Sequence, residues 1–510
     1  MEIFLCIFYT LLFLLLIRRM KFFRLEGLGT WTPSIFFLLK IAAGLTLWAL
    51  YTFYYTDTST ADIYKYFHDS KIMHDALWSR PGDYFRMLFG IANDTPEFDA
   101  LYYQQMNHWY REFDSNLYND SHTIIRFNAF VRLFSFGYFN VHTVFMCFLS
   151  FAGLCALYKT FHPFLEEWKR ALAFSVFLFP SVLFWGSGVL KEGLLFFGLG
   201  FLLYHFFGWL RDRRAIRWLW MLGFLLLLFA TKFYILVSVL PALLAALWIG
   251  LGKPARFAPL KYLLVLALYI TAGLFTDKIF PGYDPLEVLS IKQRDFLNLA
   301  RGGTYLLDDS TVAYVAPEHR DSVRMFPSGG YGVMYIQPGT PYYYWRSADD
   351  FKDTIFVAHA DSHSTRRHYS IMSDYPRAGS LMDVEQLKPE LRSFLKNTPV
   401  AVWNSLARPY PWEARSLLLL MPALENIFLF LAFVLCLVFF KTRGVNWELV
   451  CFCLVFAFLL FAITGLTTPV IGALVRYRIP GIPFLLIAML LMCDREKLLR
   501  RVPFLKRLII

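Results

Sequence analysis

Residues 417–440 read LLLLMPALENIFLFLAFVLCLVFF, 24 residues in which Glu425 is the one charge. As a helix rising 1.5 Å per residue, the stretch is about 36 Å long, against roughly 30 Å of bilayer hydrocarbon. Outward from it the pattern recurs. Ten further apolar blocks fall near 2–18, 34–55, 137–159, 171–187, 190–210, 217–231, 233–251, 261–276, 449–466 and 480–493. Blocks of this length predict about eleven transmembrane helices, not the alternating strands of an outer-membrane barrel.

Composition agrees. The 510 residues are 57% hydrophobic and 17% charged, where a soluble domain carries roughly 45–50% and 25%. The net charge of +12 does not point to nucleic acid, because the basic residues cluster in short loops between apolar blocks. Arg18/Arg19/Lys21/Arg24, Lys159/Lys169/Arg170, Arg211/Arg213/Arg214/Arg217, Lys253/Arg256/Lys261, Lys441/Arg443 and the tail from Arg495 all thread to one side. Short basic loops mark the cytoplasmic face. The expected fold is thus an all-α polytopic membrane protein with its N-terminus outside and its C-terminus inside.

Five regions follow. Residues 1–56 hold two transmembrane helices, and 57–136 form an outer loop with helices lying along the membrane interface. Residues 137–276 hold helices three to eight. The segment 277–415, with Pro, Gly and Tyr runs at 326–335 and 338–345, reads as a small mixed α/β outer domain. Residues 416–510 carry the last three helices and a basic tail. None of the seven cysteines lies in the two long loops, so no disulfide framework is expected there.

Chemistry is sought among polar groups at the outer ends of spans, because charge near the membrane interior is costly and usually serves a site. Asp57 directly follows the second span and Asp62 lies five residues on. Either can accept a proton from a hydroxyl, or cap the next helix. Lys191 and Glu192 sit where two apolar helices meet, and either belong to a site or snorkel to water. Lys232 is alone in an apolar hairpin, and Arg476 and Arg478 precede the last span. These cations lie on the side where the charge rule does not favour them. They call for an anion: a lipid phosphate, which the arginine fork matches, or an acid of the protein itself. Lys40, within the second block, can snorkel toward the basic side. Arg408, Trp412 and Glu413 enter the ninth block and can contact a sugar. His359, Asp361 and His363 have metal-ligand types and could share a strand face, but with no evident fourth ligand a divalent metal is possible yet unsupported, and no cofactor is expected.

On these residues the chain resembles bacterial membrane glycosyltransferases of the GT-C type and related polysaccharide-assembly membrane proteins. The resemblance rests on an acid just after an early span (Asp57), a long first outer loop, a later large outer loop and basic outer span ends. It also rests on the patches Phe184–Glu192, Arg408-Pro409-Tyr410-Pro411-Trp412-Glu413 and Arg476-Tyr477-Arg478-Ile479-Pro480. It departs from the family in an extra span before the Asp and in lacking an adjacent second acid.

The resemblance implies an inverting transfer from a polyprenyl-phosphate-linked sugar to a glycan, lipid or protein acceptor at the periplasmic face of a bacterial inner membrane. Asp57 or Asp62 would be the base, with Glu192 beside it, and Lys191, Lys232, Arg476 and Arg478 would hold the lipid phosphate. Three other readings stay open. One is an O-antigen or exopolysaccharide polymerase or ligase acting on a polyprenyl-pyrophosphate-linked glycan. The others are a transporter and a non-catalytic envelope-assembly protein.

Overall fold

The computed structural model describes residues 1–55, 61–109, 119–252, 257–281, 283–307, 311–328, 331–346, 356–359, 367–375 and 377–506. Among them, six helices are long and apolar enough to cross a membrane: Thr32–Tyr54, Phe139–Phe164, Lys191–Asp212, Phe233–Leu251, Leu418–Val438 and Trp447–Thr467. The pair Ile471–Tyr477 and Ile479–Met492, bent by 40°, makes a seventh if it counts as one span. This is a multi-pass helical membrane protein, with fewer full-length spans than the eleven expected.

The shortfall has local causes. Ile216–Thr231 and Ala258–Leu274 are apolar but run only 16 and 17 residues. Glu2–Arg19 is helical but carries charge at both ends. The block at 171–187 is broken into Lys169–Ala173, a π-helical turn Phe174–Leu178, and Pro180–Trp185. Pro180 supplies no amide to continue the ladder, so the helix restarts there.

After Trp185 the chain is irregular and wholly buried from Gly186 to Leu190. It runs along the helix Thr32–Ala49. A Cβ on Gly188 would lie 2.1 Å from a Leu47 methyl carbon, one on Gly44 2.6 Å from the Ser187 carbonyl, and one on Gly186 3.0 Å from Lys40 Nζ. Non-helical backbone at membrane depth is tolerated only inside protein or around a cavity. Lys40 itself does not snorkel. It is 1% exposed, and its ammonium has no hydrogen-bond partner among the described residues.

The centre of the bundle is Phe139–Phe164, 83% buried along its apolar window, against 28% for Thr32–Tyr54 and Leu418–Val438 at the periphery. It meets Lys191–Asp212 at two glycines. A Cβ on Gly200 would sit 1.9 Å from the Gly153 carbonyl oxygen, and one on Gly153 would sit 2.2 Å from that of Phe196. Small residues permit such backbone approach in membranes, where packing rather than water expulsion drives association. Gly200→Ala is therefore expected to cost about 3 kcal/mol, read as a lowered melting temperature in detergent. Gly223→Ala, with nothing within 4 Å, is the control. It should hold or slightly raise stability, since Ala is the better helix former.

The segment after the second span forms the helices Asp62–Ser79, Pro81–Phe89, Pro96–Leu101 and Ser121–Ser135. They bury Tyr66, Met73, Tyr84, Met87, Phe98 and Ile124 against one another and leave Trp78, Phe89 and Phe136 exposed. Within this group the buried Asp69 accepts the backbone amides of Asn107 and His108 at 2.7 and 2.8 Å. That fixes where His108 stands.

Further on, an amphipathic helix Pro285–Arg301 starts with Asp284 accepting from the Leu286 amide. A seven-stranded antiparallel sheet follows: β1 Gly303–Leu307, β2 Thr311–Val315, β3 Val323–Ser328, β4 Tyr331–Ile336, β5 Pro341–Arg346, β6 Phe356–His359 and β7 Arg367–Tyr375. Its order is β3-β4-β7-β1-β2-β5-β6. The run at 326–335 supplies the end of β3 and most of its antiparallel partner β4, and 338–345 leads into β5. From the sheet the chain returns to the bundle through a seam. The Met382 amide donates to the Pro469 carbonyl (2.8 Å) and the Ile471 amide to that of Ser380 (3.0 Å).

Candidate functional site

Pro480 and Pro483 restart the last helix, so Arg476, Tyr477 and Arg478 fall at the bend of the Ile471–Met492 pair. Successive side chains on a helix point in different directions. Here they reach three separate polar groups.

Arg476 turns to the start of two other helices. Its Nε donates to Glu192 Oε1 at 2.8 Å and its Nη1 to Asp62 Oδ2 at 2.9 Å. The other Asp62 oxygen lies 3.5 Å from His108 Nε2. Asp62 opens Asp62–Ser79 and Glu192 opens Lys191–Asp212. Acids in a first helical turn are favoured by the exposed amides there. Burial pushes the Asp62 carboxyl up, but the contact with His108 and the charge of Arg476 outweigh it, so the group is held well below the usual carboxylate range. Glu192 Oε2 is buried with no hydrogen-bond partner among the described residues.

Asp62 and Arg476 wall a cavity of about 310 Å³, with Tyr51, Tyr55, Ala61, Ile63 and Leu190 around them. Tyr51 and Tyr55 come from the π-helical end of the second span and the residue after it. Leu190 ends the irregular segment. The cavity thus has a charged side and an aromatic and aliphatic side, the composition that binds amphipathic ligands.

Tyr477 turns to a second group, centred on Asp120. One carboxylate oxygen is 2.8 Å from Lys191 Nζ and the other 3.1 Å from Lys232 Nζ. Ser121 Oγ lies 3.1 Å from Lys191 Nζ. Aromatic rings line the ammonium groups: Tyr66 at 5.2 Å from Lys191, and Tyr477 and Tyr234 at 4.8 and 5.8 Å from Lys232.

Arg478 is 1% exposed and turns inward. Its Nη1 donates to the carbonyls of Ser405 (2.7 Å) and Arg408 (3.0 Å), at the end of the helix Leu391–Ala407, and its Nη2 to Asn426 Oδ1 (2.6 Å). Asn426 in turn donates to the Ala407 and Pro409 carbonyls. The neighbouring Glu425 accepts from the Ser181 amide. This is a brace between helices.

The sequence-derived residues therefore divide. Asp62 and Arg476 come together at the cavity, with Glu192 buried and bonded to Arg476, and Lys191 and Lys232 meet on Asp120. Arg478 lies apart from the cavity wall, as do Arg408, Trp412 and Glu413. Arg408 Nη2 is 3.3 Å from Glu413 Oε1, while Trp412 is 76% exposed and stacks on Tyr410. Asp57 lies outside the described residues, as do Asp361 and His363. The cations expected to need an anion each have a partner within the protein. Among the described residues no group of three or more His, Cys, Asp or Glu is arranged to hold a metal ion.

Sequence reasoning missed Asp120, His108, Tyr51 and Tyr55. Asp120 carried a faint signal as an Asp preceding an apolar-periodic stretch, but its pairing with Lys191 spans 71 residues. No family model, no curated protein and no solved structure matches this chain. Its own geometry carries the functional argument.

Proposed function

We propose that this protein is an integral membrane glycosyltransferase of the GT-C kind, working at the periplasmic face of a bacterial inner membrane. It moves a sugar from a polyprenyl-phosphate carrier to a hydroxyl on a glycan, lipid or protein acceptor. The observation that carries this reading is the cavity walled by Asp62 and Arg476 beneath Tyr51 and Tyr55. The charge distribution supports the matching orientation, with the N-terminus and long loops outside and the basic tail inside.

In this reading the acceptor hydroxyl donates to Asp62 and attacks the sugar's anomeric carbon as its bond to the phosphate oxygen breaks. The hydroxyl proton passes to Asp62, and the phosphate leaves with its charge facing Arg476, the cation of the cavity wall. Cations placed where charge develops supply the electrostatic part of catalysis.

Asp62→Asn keeps the shape and removes the proton acceptor. It is expected to lower transfer from radiolabelled polyprenyl-phosphate sugar about 100-fold or more, with folding retained. Wild-type turnover in that variant would sink the assignment.

The polymerase or ligase reading is favoured by one feature: Asp62, held low by His108 and Arg476, is a weak proton acceptor. If Asp62→Asn survives while Arg476→Lys is inactive on a pyrophosphate-linked glycan, that reading replaces the first.

A further inference from the structure

The helix Leu391–Ala407 changes character along its length. Its first half carries Arg392 and Lys396, the latter 2.8 Å from Glu385, while the stretch from Pro399 to Ala407 holds no charge. One face, with Phe394, Ala401 and Ser405, is buried. Another, with Leu395, Pro399 and Trp403 at every fourth residue, is exposed, as is Val400. Val400 and Trp403 keep 59% and 57% of their surface open, so no described part of the protein covers them. The Trp403 indole N–H donates to the Tyr410 hydroxyl at 2.8 Å and so has a partner within the chain.

Two registers give the depth of this helix. A Cβ on Gly465 would lie 2.1 Å from the Ala401 carbonyl oxygen, and Ser405 Oγ donates to the Phe461 carbonyl at 2.8 Å. Four residues onward in one helix are four back in the other, so Leu391–Ala407 runs antiparallel to Trp447–Thr467. Phe461 lies six residues inside that span's end at Thr467, about 9 Å. On another side, Asn426 donates to the Ala407 and Pro409 carbonyls, both at 3.0 Å. Asn426 is nine residues into the span Leu417–Val438, about 14 Å from its start. Against a hydrocarbon layer of about 30 Å, both registers put the end of the helix inside the layer. Lipid cannot satisfy the carbonyls of a helix end at that depth. Arg478 does so for Ser405, Leu406 and Arg408, with its positive charge at the negative end of the helix.

We infer that Leu391–Ala407 is a re-entrant half-helix. It enters the bilayer, ends there on Arg478 and Asn426, and turns back through 408–416 to the next span. Its Pro399, Val400 and Trp403 side is a contact surface for lipid acyl chains. Lipid is the occupant because this uncharged stretch stands level with the apolar ends of two spans and its one polar side-chain donor is already satisfied.

The test labels single cysteines in the full chain in phospholipid nanodiscs with a membrane-impermeant maleimide, read peptide by peptide. Glu390→Cys, exposed just before the helix, should react as a free thiol. Val400→Cys and Trp403→Cys should react about ten-fold more slowly or less, because a thiol in hydrocarbon does not ionise. Equal rates at all three positions overturn the inference. In a second arm, the wild-type chain is photolysed in nanodiscs whose phospholipid carries a diazirine within the acyl chain. The peptide spanning 399–407 should take up label. No uptake there means that a second copy or another protein segment covers the face, and overturns the lipid assignment even if the cysteines react slowly. This arm needs no substitution, so it decides the matter should a variant fail to fold.

Discussion

Arg476→Met is expected to destabilise the protein by about 3–5 kcal/mol and to abolish transfer. The guanidinium is shared between Glu192 and Asp62, so its removal strands two acids at once, and Glu192 is nearly inaccessible to water. Breaking a buried pair from one side costs more than the pair contributes, because the remaining charge keeps its desolvation penalty. Adding Glu192→Gln should therefore recover much of the stability and none of the activity. Thermal unfolding in detergent, run as a double-mutant cycle beside the transfer assay, separates the two. Simultaneous recovery of stability and transfer would mean that the arginine only holds the helices together.

Arg478→Ala should be comparably severe, about 3–5 kcal/mol, for a different reason. Its donors satisfy the Ser405 and Arg408 carbonyls and Asn426 Oδ1. Without them these acceptors stay buried and unpaired, each at a cost of about 1–3 kcal/mol. Arg478→Lys keeps the charge but has one nitrogen where two were used, and should recover only part. The expected signature is poor expression and a low melting temperature, with polyprenyl-phosphate affinity unchanged in whatever protein folds. A variant that folds normally but loses lipid affinity would return Arg478 to the phosphate site.

The contrast between these arginines shows what the sequence discloses. Both are conspicuous as cations at the end of a span, and residue type and position suffice for that. Two places apart around a bend, they face opposite ways, one toward the cavity and one toward carbonyl ends. Only the packing of 405–408 and of Asn426 decides this. Lys191 and Glu192 were likewise visible as charges in a turn that needs none. Their partners were not, since Asp120 and Asp62 belong to the first long loop, and distance along the chain conceals proximity in space.

The membrane class was legible because apolar length is a property of each segment alone. The number of full spans was not. Apolarity at 171–187 says nothing of whether the chain stays helical, and Pro180 followed by the buried stretch 186–190 shows that it does not. Lys40 misled for a related reason. A lysine inside a span can reach water along its long stem, but here the irregular stretch of chain beside it closes the way out.

The two backbone hydrogen bonds that tie Ser380 and Met382 to Ile471 and Pro469 join the chain leaving the sheet to the short helix carrying Arg476. Displacing that segment would strain both hydrogen bonds and with them the seven-residue helix that carries Arg476.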